Sequence, residues 1–253
     1  MQLELKNSVA LVTGSSRGIG RKIAETLHKE GCYVAMNARS NKDIESVAHQ
    51  VGPDNVAGIQ GDVTDPRQCA EIVTDVLARF GKLDILVCNV GSGASVKPGE
   101  ETAEEWQRVF AVNLWSATNM VEAAKHALAE SKGAIVCVSS ICGIEVVPGA
   151  PVTYSAAKAA LNAYVRGIAR PLGRLGVRIN AIAPGNILFE GSVWEHKLNQ
   201  DSPYVERMLE ENVALAELGK PSDVADFVAY LASPRAKFAT GGVYVLDGGQ
   251  VRS

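Results

Sequence analysis

Cysteine is scarce and carries no pairing pattern. The 253 residues hold five, Cys32, Cys69, Cys88, Cys137 and Cys142, an odd number with no C-x-x-C spacing. No disulfide framework and no metal site is expected from such a set. Four of the thiols sit in or beside apolar runs and Cys69 lies on a helical pattern, so all five read as buried and free, which suits a reducing cytoplasm. Also missing is any stretch near the roughly 20 apolar residues that span a bilayer. Met1 to Asn7 lack the basic region, apolar run and small-residue cleavage site of a signal peptide. Like charges form no block, and a net charge of −3 gives no reason to expect nucleic acid or an anionic membrane as a partner. Linkers, low-complexity tracts and internal repeats are absent too, so residues 1–253 read as one domain.

What is present is an ordinary globular balance, 47% hydrophobic and 21% charged, arranged in two alternating periods. Short β-branched runs lie at Val9 to Thr13, Cys32 to Asn37, Val56 to Gln60, Ile85 to Cys88, Ala134 to Val138, Val177 to Ile182 and Val243 to Leu246. Helical spacing fills the gaps. From Pro66 to Phe80, residues Cys69, Ile72, Val73, Val76, Leu77 and Phe80 share one face, and Asp65-Pro66 makes a helix start. Further helical patterns follow Thr102 to about Ala129 and run from Val152 to about Leu175. Strand and helix repeated this often predict an α/β fold: a doubly wound, seven-stranded parallel sheet with helices on both faces, a Rossmann fold that binds ligands at the carboxyl ends of its strands.

The first strand runs into Thr13-Gly14-Ser15-Ser16-Arg17-Gly18-Ile19-Gly20, where a helix opens at once. Glycines there allow a tight turn and close backbone approach, and a helix start offers unpaired N–H groups to a pyrophosphate. The spacing, G-x-x-x-G-x-G, differs by one residue from the usual dinucleotide fingerprint. After the second strand, where NAD-binding sheets place a carboxylate for the ribose 2′-hydroxyl, the chain reads Asn37-Ala38-Arg39-Ser40, with no carboxylate until Asp43. A 2′-phosphate would be attracted by Arg39 and Arg17, so NADP(H) is favoured over NAD(H).

Three further motifs stand in order: Asp62-Val63 after strand three, Asn89-Val90-Gly91 after strand four, and Tyr154-Ser155-Ala156-Ala157-Lys158 on the late helix. With the T-G-x-x-x-G-I-G turn, they make the chain resemble the short-chain dehydrogenase/reductase family in its single-domain form, and most closely the pattern of 3-oxoacyl-acyl-carrier-protein reductases. The resemblance runs from strand one to Val245-Leu246-Asp247-Gly248-Gly249. It implies that Asp62 and Val63 meet the adenine, that Asn89 and Gly91 flank the cofactor ribose, and that Pro184, Gly185 and Ile187 pass the nicotinamide. It also implies four catalytic members, Asn113, Ser140, Tyr154 and Lys158. Asn113 would hold a water through main chain freed by a helix distortion, and Ser140 would orient the substrate oxygen. The chain departs from the family at Val90, in place of a smaller residue, and at Phe189, where a Thr often contacts the cofactor; Ser192 is a candidate replacement. Ser140 lies fourteen residues before Tyr154, one more than usual, so an insertion falls between Ile141 and Val152, and adjacent Ser139 is the competing choice.

The chemistry reads consistently. A free tyrosine has a pKa near 10, and a nearby cation lowers it. Tyr154 and Lys158, four apart on a helix, share a face, so Lys158 is expected to tune the phenol and to bond the nicotinamide ribose while Tyr154 exchanges a proton and the nicotinamide a hydride. Residues 188–219 are the expected substrate lid. Its Phe189, Trp194 and Tyr204 either cover a substrate or pack on a neighbouring subunit, and His196 is expected to be exposed or structural. The leading expectation is NADPH-dependent reduction of a carbonyl, 3-oxoacyl or another ketone, whose small-molecule substrate is free or linked to a carrier protein. Oxidation of a sugar, polyol or steroid alcohol is the alternative enzyme, and a non-catalytic NADP-binding sensor the alternative of another class. The resemblance further implies a homotetramer or homodimer.

Overall fold

Each expected apolar run forms a strand: β1 (Val9–Val12), β2 (Tyr33–Ala38), β3 (Val56–Gln60), β4 (Ile85–Cys88), β5 (Ala134–Val138), β6 (Arg178–Pro184) and β7 (Val243–Leu246). The computed structural model describes residues 2–252, with the backbone alone at 41–43, so Met1 and the Asp43 side chain lie outside the described residues. The seven strands make one sheet, ordered β3-β2-β1-β4-β5-β6-β7, in which every neighbouring pair is parallel. Side chains alternate between its faces: Val9 and Leu11 enter one apolar layer, Ala10 and Val12 the other. Burial on both faces is why these strands read as continuous apolar runs rather than alternating ones.

One face is covered by α3 (Pro66–Phe80), α5 (Ser116–Ser131) and α6 (Val152–Arg174), which bury Ile72, Met120, Leu128, Leu161 and Leu172 against it. The other carries α1 (Gly18–Lys29), α2 (Asn41–Val51) and α9 (Pro221–Ala232), with Ile23, Leu27 and Val228 at its centre. Asp65 caps α3, accepting from the Arg67 N–H at 2.8 Å. The long helix expected after Thr102 is interrupted: α4 (Ala103–Phe110) passes into a π-helical turn at Ala111–Trp115 before α5 begins. The segment read as a lid holds α7 (Val193–Gln200), which the sequence did not announce, and α8 (Ser202–Asn212), which Asp201 caps by accepting from the Tyr204 N–H at 3.0 Å. Of the five cysteines, all free, four are buried and Cys142 is half-buried, a departure from the expected burial of all five. Among the described residues no helix is long and apolar enough to cross a membrane.

Strand order reverses between β1 and β4, and such a reversal opens a crevice beyond the carboxyl ends of the strands. The Gly-rich turn after β1, the Asn89 motif after β4, Ser139-Ser140 after β5 and Pro184-Gly185 at the end of β6 are all delivered to that edge.

Candidate active site

The first turn is built to receive an anion. Arg17 stands at the N-cap of α1 in an extended conformation and lends it no side-chain hydrogen bond, and the first helical turn has no acidic residue. The N–H groups at this helix start are thus left without a side-chain cap. Asn89 ties the turn to β4: its Nδ2 donates to Thr13 O at 3.0 Å and to Gly14 O at 3.1 Å. Val90 fits beside Gly14, where a side chain in place of the glycine would begin 2.8 Å from Val90 Cγ2. These features fit a dinucleotide pyrophosphate.

The surrounding cofactor candidates divide. Arg17 and Arg39 are exposed, and neither pairs with a carboxylate among the described residues. The Arg17 guanidinium lies along Gly191 of the lid, and a cavity of about 520 Å³ is bounded by Arg17, Arg21, Lys22 and Phe189. Ser16 and Ile19 lie half-buried on the turn, and Ser40 is exposed at the start of α2. Asn37 is buried instead, its amide donating to Ile59 O and Gly61 O at 3.1 Å, so its side chain fastens β2 to β3. Asp62 closes its own turn by accepting from the Thr64 N–H and hydroxyl at 2.9 and 2.8 Å, and Val63 is buried next to it. Pro184 ends β6, Gly185 N–H donates to Leu246 O at 3.0 Å, and Ile187 bridges to Gly219.

The four expected catalytic members converge. Asn113 sits in the π-helical turn and clasps Ser92, accepting from its N–H at 2.9 Å and donating to its carbonyl at 3.0 Å. Gly91 brings its backbone close to both groups: a Cβ there would lie 3.0 Å from Lys158 Nζ and 3.1 Å from Asn113 Oδ1. Lys158 is buried and donates to Val138 O at 2.9 Å, its Nζ standing 5.9 Å from the Tyr154 ring centroid. The two serines take different jobs. Ser139 donates to Asn162 Oδ1 at 2.6 Å, inside the packing of α6. Ser140 accepts from the Cys142 N–H at 3.2 Å and shares a hydrogen bond with Tyr154.

The electrostatics reverse one expectation. Burial pushes the Tyr154 phenol up to about 12, opposed by its hydrogen bond with Ser140. Burial also brings Lys158 down to about 8. The lysine does not make the phenol more acidic in this state, since both groups have lost water and the ammonium is turned to a backbone carbonyl. At neutral pH the site holds a protonated phenol and a mostly protonated amine.

The aromatics of the lid take different places within the chain. Trp194 packs with Leu198 and Met208 around Val205, Leu209 and Val213, a small core of the lid's own, and Lys197 Nζ sits 4.4 Å from its ring centroid. His196 and Tyr204 are exposed. Ser192 is occupied as the cap of α7, its hydroxyl accepting from Phe189 N–H at 3.2 Å and Glu195 N–H at 3.1 Å. Phe189 rests its ring on the first turn, where a Cβ on Gly18 would fall 2.6 Å from Cε2. Truncating that ring removes the apolar contact between lid and turn, so Phe189→Ala should speed amide hydrogen exchange across 188–200. Unchanged exchange there would show that the ring does not hold the lid.

Two elements of the site escaped the sequence. Val138 O, the acceptor for Lys158, is main chain and has no signature. The segment after β7 folds back over the cleft, Leu215 N–H donating to Gly248 O at 3.0 Å and Arg252 N–H to Glu145 Oε1 at 3.1 Å. The Asp247-Gly248-Gly249 turn was the available clue, with Asp247 accepting from the Gly249 and Val251 N–H groups.

The comparisons with known proteins agree with this geometry. A family model described as enoyl-(acyl carrier protein) reductase matches residues 14–250. The chain is 37% identical over 245 residues to the 3-oxoacyl-[acyl-carrier-protein] reductase FabG of Staphylococcus aureus, covering 95% of this chain and 96% of that protein. Its structure is similar to L-sorbose reductase from Gluconobacter frateurii in complex with NADPH and L-sorbose, with a TM-score of 0.93, 29% identity and 100% of both chains covered. A 7α-hydroxysteroid dehydrogenase complexed with NADH and 7-oxo glycochenodeoxycholic acid gives a TM-score of 0.88 at 25% identity, covering 100% of this chain and 97% of that one.

Proposed function

The chain belongs to the short-chain dehydrogenase/reductase family, and on that premise we propose that it reduces a ketone to a secondary alcohol with NADPH, Tyr154 giving the proton. The observation that carries the reading is the convergence of Ser140, Tyr154, Lys158 and Asn113 at the same sheet edge as the anion-receptive first turn. NADPH, when bound, would supply the hydride for the carbonyl carbon. The chain supplies the rest.

Tyr154 holds its proton through neutral pH, and a phenol at about 12 remains a far stronger acid than the alcohol formed when the alkoxide at the substrate oxygen takes that proton. Ser140 stands beside the phenol and would donate to that same oxygen as its charge develops. Lys158 brings an ammonium close to Gly91, where it would steady the phenolate left after proton transfer and bond the ribose. The π-helical turn frees main chain around Asn113, which would hold a water leading from Lys158 toward solvent.

For the cofactor, the residues that would hold the pyrophosphate are Gly14, Ser16, Gly18, Ile19 and Gly20, with Asp62 and Val63 at the adenine and Asn89, Gly91, Pro184, Gly185 and Ile187 along the ribose and nicotinamide. Arg39 and Arg17 would take the 2′-phosphate, and the lack of a carboxylate from Asn37 to Ser40 supports that choice. Arg39→Ala should weaken NADPH binding by about tenfold, the loss of one charge-assisted contact, and leave NADH binding unchanged. Fluorescence titration of both dinucleotides decides it, and equal NADPH affinity in both proteins would overturn the cofactor choice.

The substrate class is a ketone, of the 3-oxoacyl kind that the Staphylococcus aureus relative is named for or a ketose like the L-sorbose bound by the structural relative. NADPH consumption against 3-oxoacyl thioesters and ketoses, in wild type and Tyr154→Phe, tests this. No Tyr154-dependent turnover on either class would sink it. Exposed apolar side chains at Trp115, Phe238 and Val245 support association into a dimer or tetramer.

A further inference from the structure

The loop after β4, from Gly91 to Gly99, forms a wall of the cleft and has little core of its own. It is fastened by polar contacts instead. At its start Asn113 clasps Ser92. Further on, the Ser95 hydroxyl lies 2.7 Å from Glu105 Oε1 on α4 and 2.6 Å from the Thr153 hydroxyl, which is buried on the first turn of α6.

The direction of these hydrogen bonds follows from proton count. Arg108 grips the Glu105 carboxylate with both Nε and Nη2, at 2.8 and 2.6 Å, and with Ser95 holds it down to about 2. Glu105 is therefore ionised and can only accept. Ser95 has one proton, which goes to Glu105, so Thr153 must be the donor in the shorter contact. The chain of donation runs from Thr153 to Ser95 to Glu105, and Arg108 closes it by donating to Ala94 O at 2.8 Å. Each hydroxyl proton is committed, so the chain has one orientation.

Thr153 immediately precedes Tyr154. We propose that Glu105 is a positioning residue for the reaction, which through Ser95 and Thr153 locks the substrate wall against the turn of helix that carries Tyr154. It touches neither substrate nor dinucleotide. It acts through two hydroxyls and the guanidinium that shares its carboxylate. The cofactor side of the same loop is held separately, by Thr13 on Asn89 and by Asn113 on Ser92, so disturbance at Glu105 should stop short of the dinucleotide. The proposal deepens the reading of Tyr154 as the acid and rests on it.

The test compares Glu105→Ala, Thr153→Val, Thr153→Ser and the double variant Glu105→Ala/Thr153→Val. Misplacement of about an ångström at a reacting centre lowers turnover by up to roughly a hundredfold. Glu105→Ala and Thr153→Val should therefore each cut kcat by about ten- to a hundredfold, with NADPH affinity unchanged. Thr153→Ser keeps the hydroxyl and should keep kcat. The double variant should fall no further than the worse single one, because both cut one chain of contacts. Amide exchange at 94–96 should rise in the two disrupting variants and not in Thr153→Ser. Losses that add, failure of Thr153→Ser to retain kcat, or a lowered Tm with kcat intact would overturn the proposal. If Tyr154→Phe is inactive while Glu105→Ala has full kcat, only the positioning role fails; if Tyr154→Phe is fully active, the reading beneath it fails.

Discussion

Replacing Tyr154 with phenylalanine should lower ketone reduction by roughly 10²–10⁴-fold, the range for loss of a positioned general acid, while NADPH binding stays as it was. Only the hydroxyl is removed. The ring remains to fill its place on α6, and Ser140 keeps its contact with the Cys142 N–H. Single-turnover reduction and dinucleotide titration on the same preparation separate the two effects, and retained turnover would remove Tyr154 from the mechanism. The pH profile adds a signed expectation. With its phenol at about 12, Tyr154 is loaded with its proton across the neutral range, so reduction should be flat there. Lys158 loses its charge through about 8, and with it the ammonium beside the phenolate that proton transfer leaves. Reduction should therefore decline as pH rises through about 8. Alcohol oxidation needs the phenol already deprotonated and should instead increase with pH. A reduction rate that climbs from neutral to alkaline pH would contradict this assignment.

The residues show which parts of the molecule could be read from sequence. Strands β3, β4, β5 and β7 begin and end where their apolar runs do, and in β4 and β5 every residue is buried, so no polar residue blurs the edges. Helix α3 was equally clear, having both a cap and a period. Helix α9 gave no comparable signal: Val224, Ala225, Val228, Ala229, Leu231 and Ala232 are all buried, so its apolar residues crowd rather than alternate. Helix α7 buries no residue fully, and its inward face is only Trp194 and Leu198, too short a pattern to reveal it. In the site, Tyr154 and Lys158 were legible as a pair because four residues on a helix fix their common face. Their ionisation was not, because it depends on how much water each loses and on a carbonyl, Val138 O, brought by another strand. The bonding of Asn37 was hidden for a similar reason: its amide satisfies two carbonyls at the end of β3 that only the folded sheet brings near.

Lys158→Met should abolish most turnover and yet make the protein more stable at neutral pH. Burial lowers the folded-state pKa of Lys158 to about 8 from the ordinary 10.5. Between those values the unfolded chain binds more protons than the folded one, so stability rises with pH from about 8 to about 10.5. Below that window both states carry the proton, and the folded state bears the full desolvation penalty of an ammonium, about 3 kcal/mol for a shift of this size. Methionine has similar length and no charge to desolvate. Losing the bond to Val138 O returns about 1 kcal/mol, so the variant should gain about 2 kcal/mol at pH 7. Urea unfolding at fixed protein concentration, at neutral pH and again near pH 10, measures it: the buried thiols raised by desolvation affect both proteins alike, so the stability of wild type relative to Lys158→Met should rise over that interval. A variant less stable than wild type at pH 7 would mean that the ammonium has a native partner worth more than its hydration. An ammonium held in the interior at such a penalty costs the fold more than its bond to Val138 O returns, which supports the proposed role of Lys158 in the reaction, where it lies near Gly91 and the ring of Tyr154.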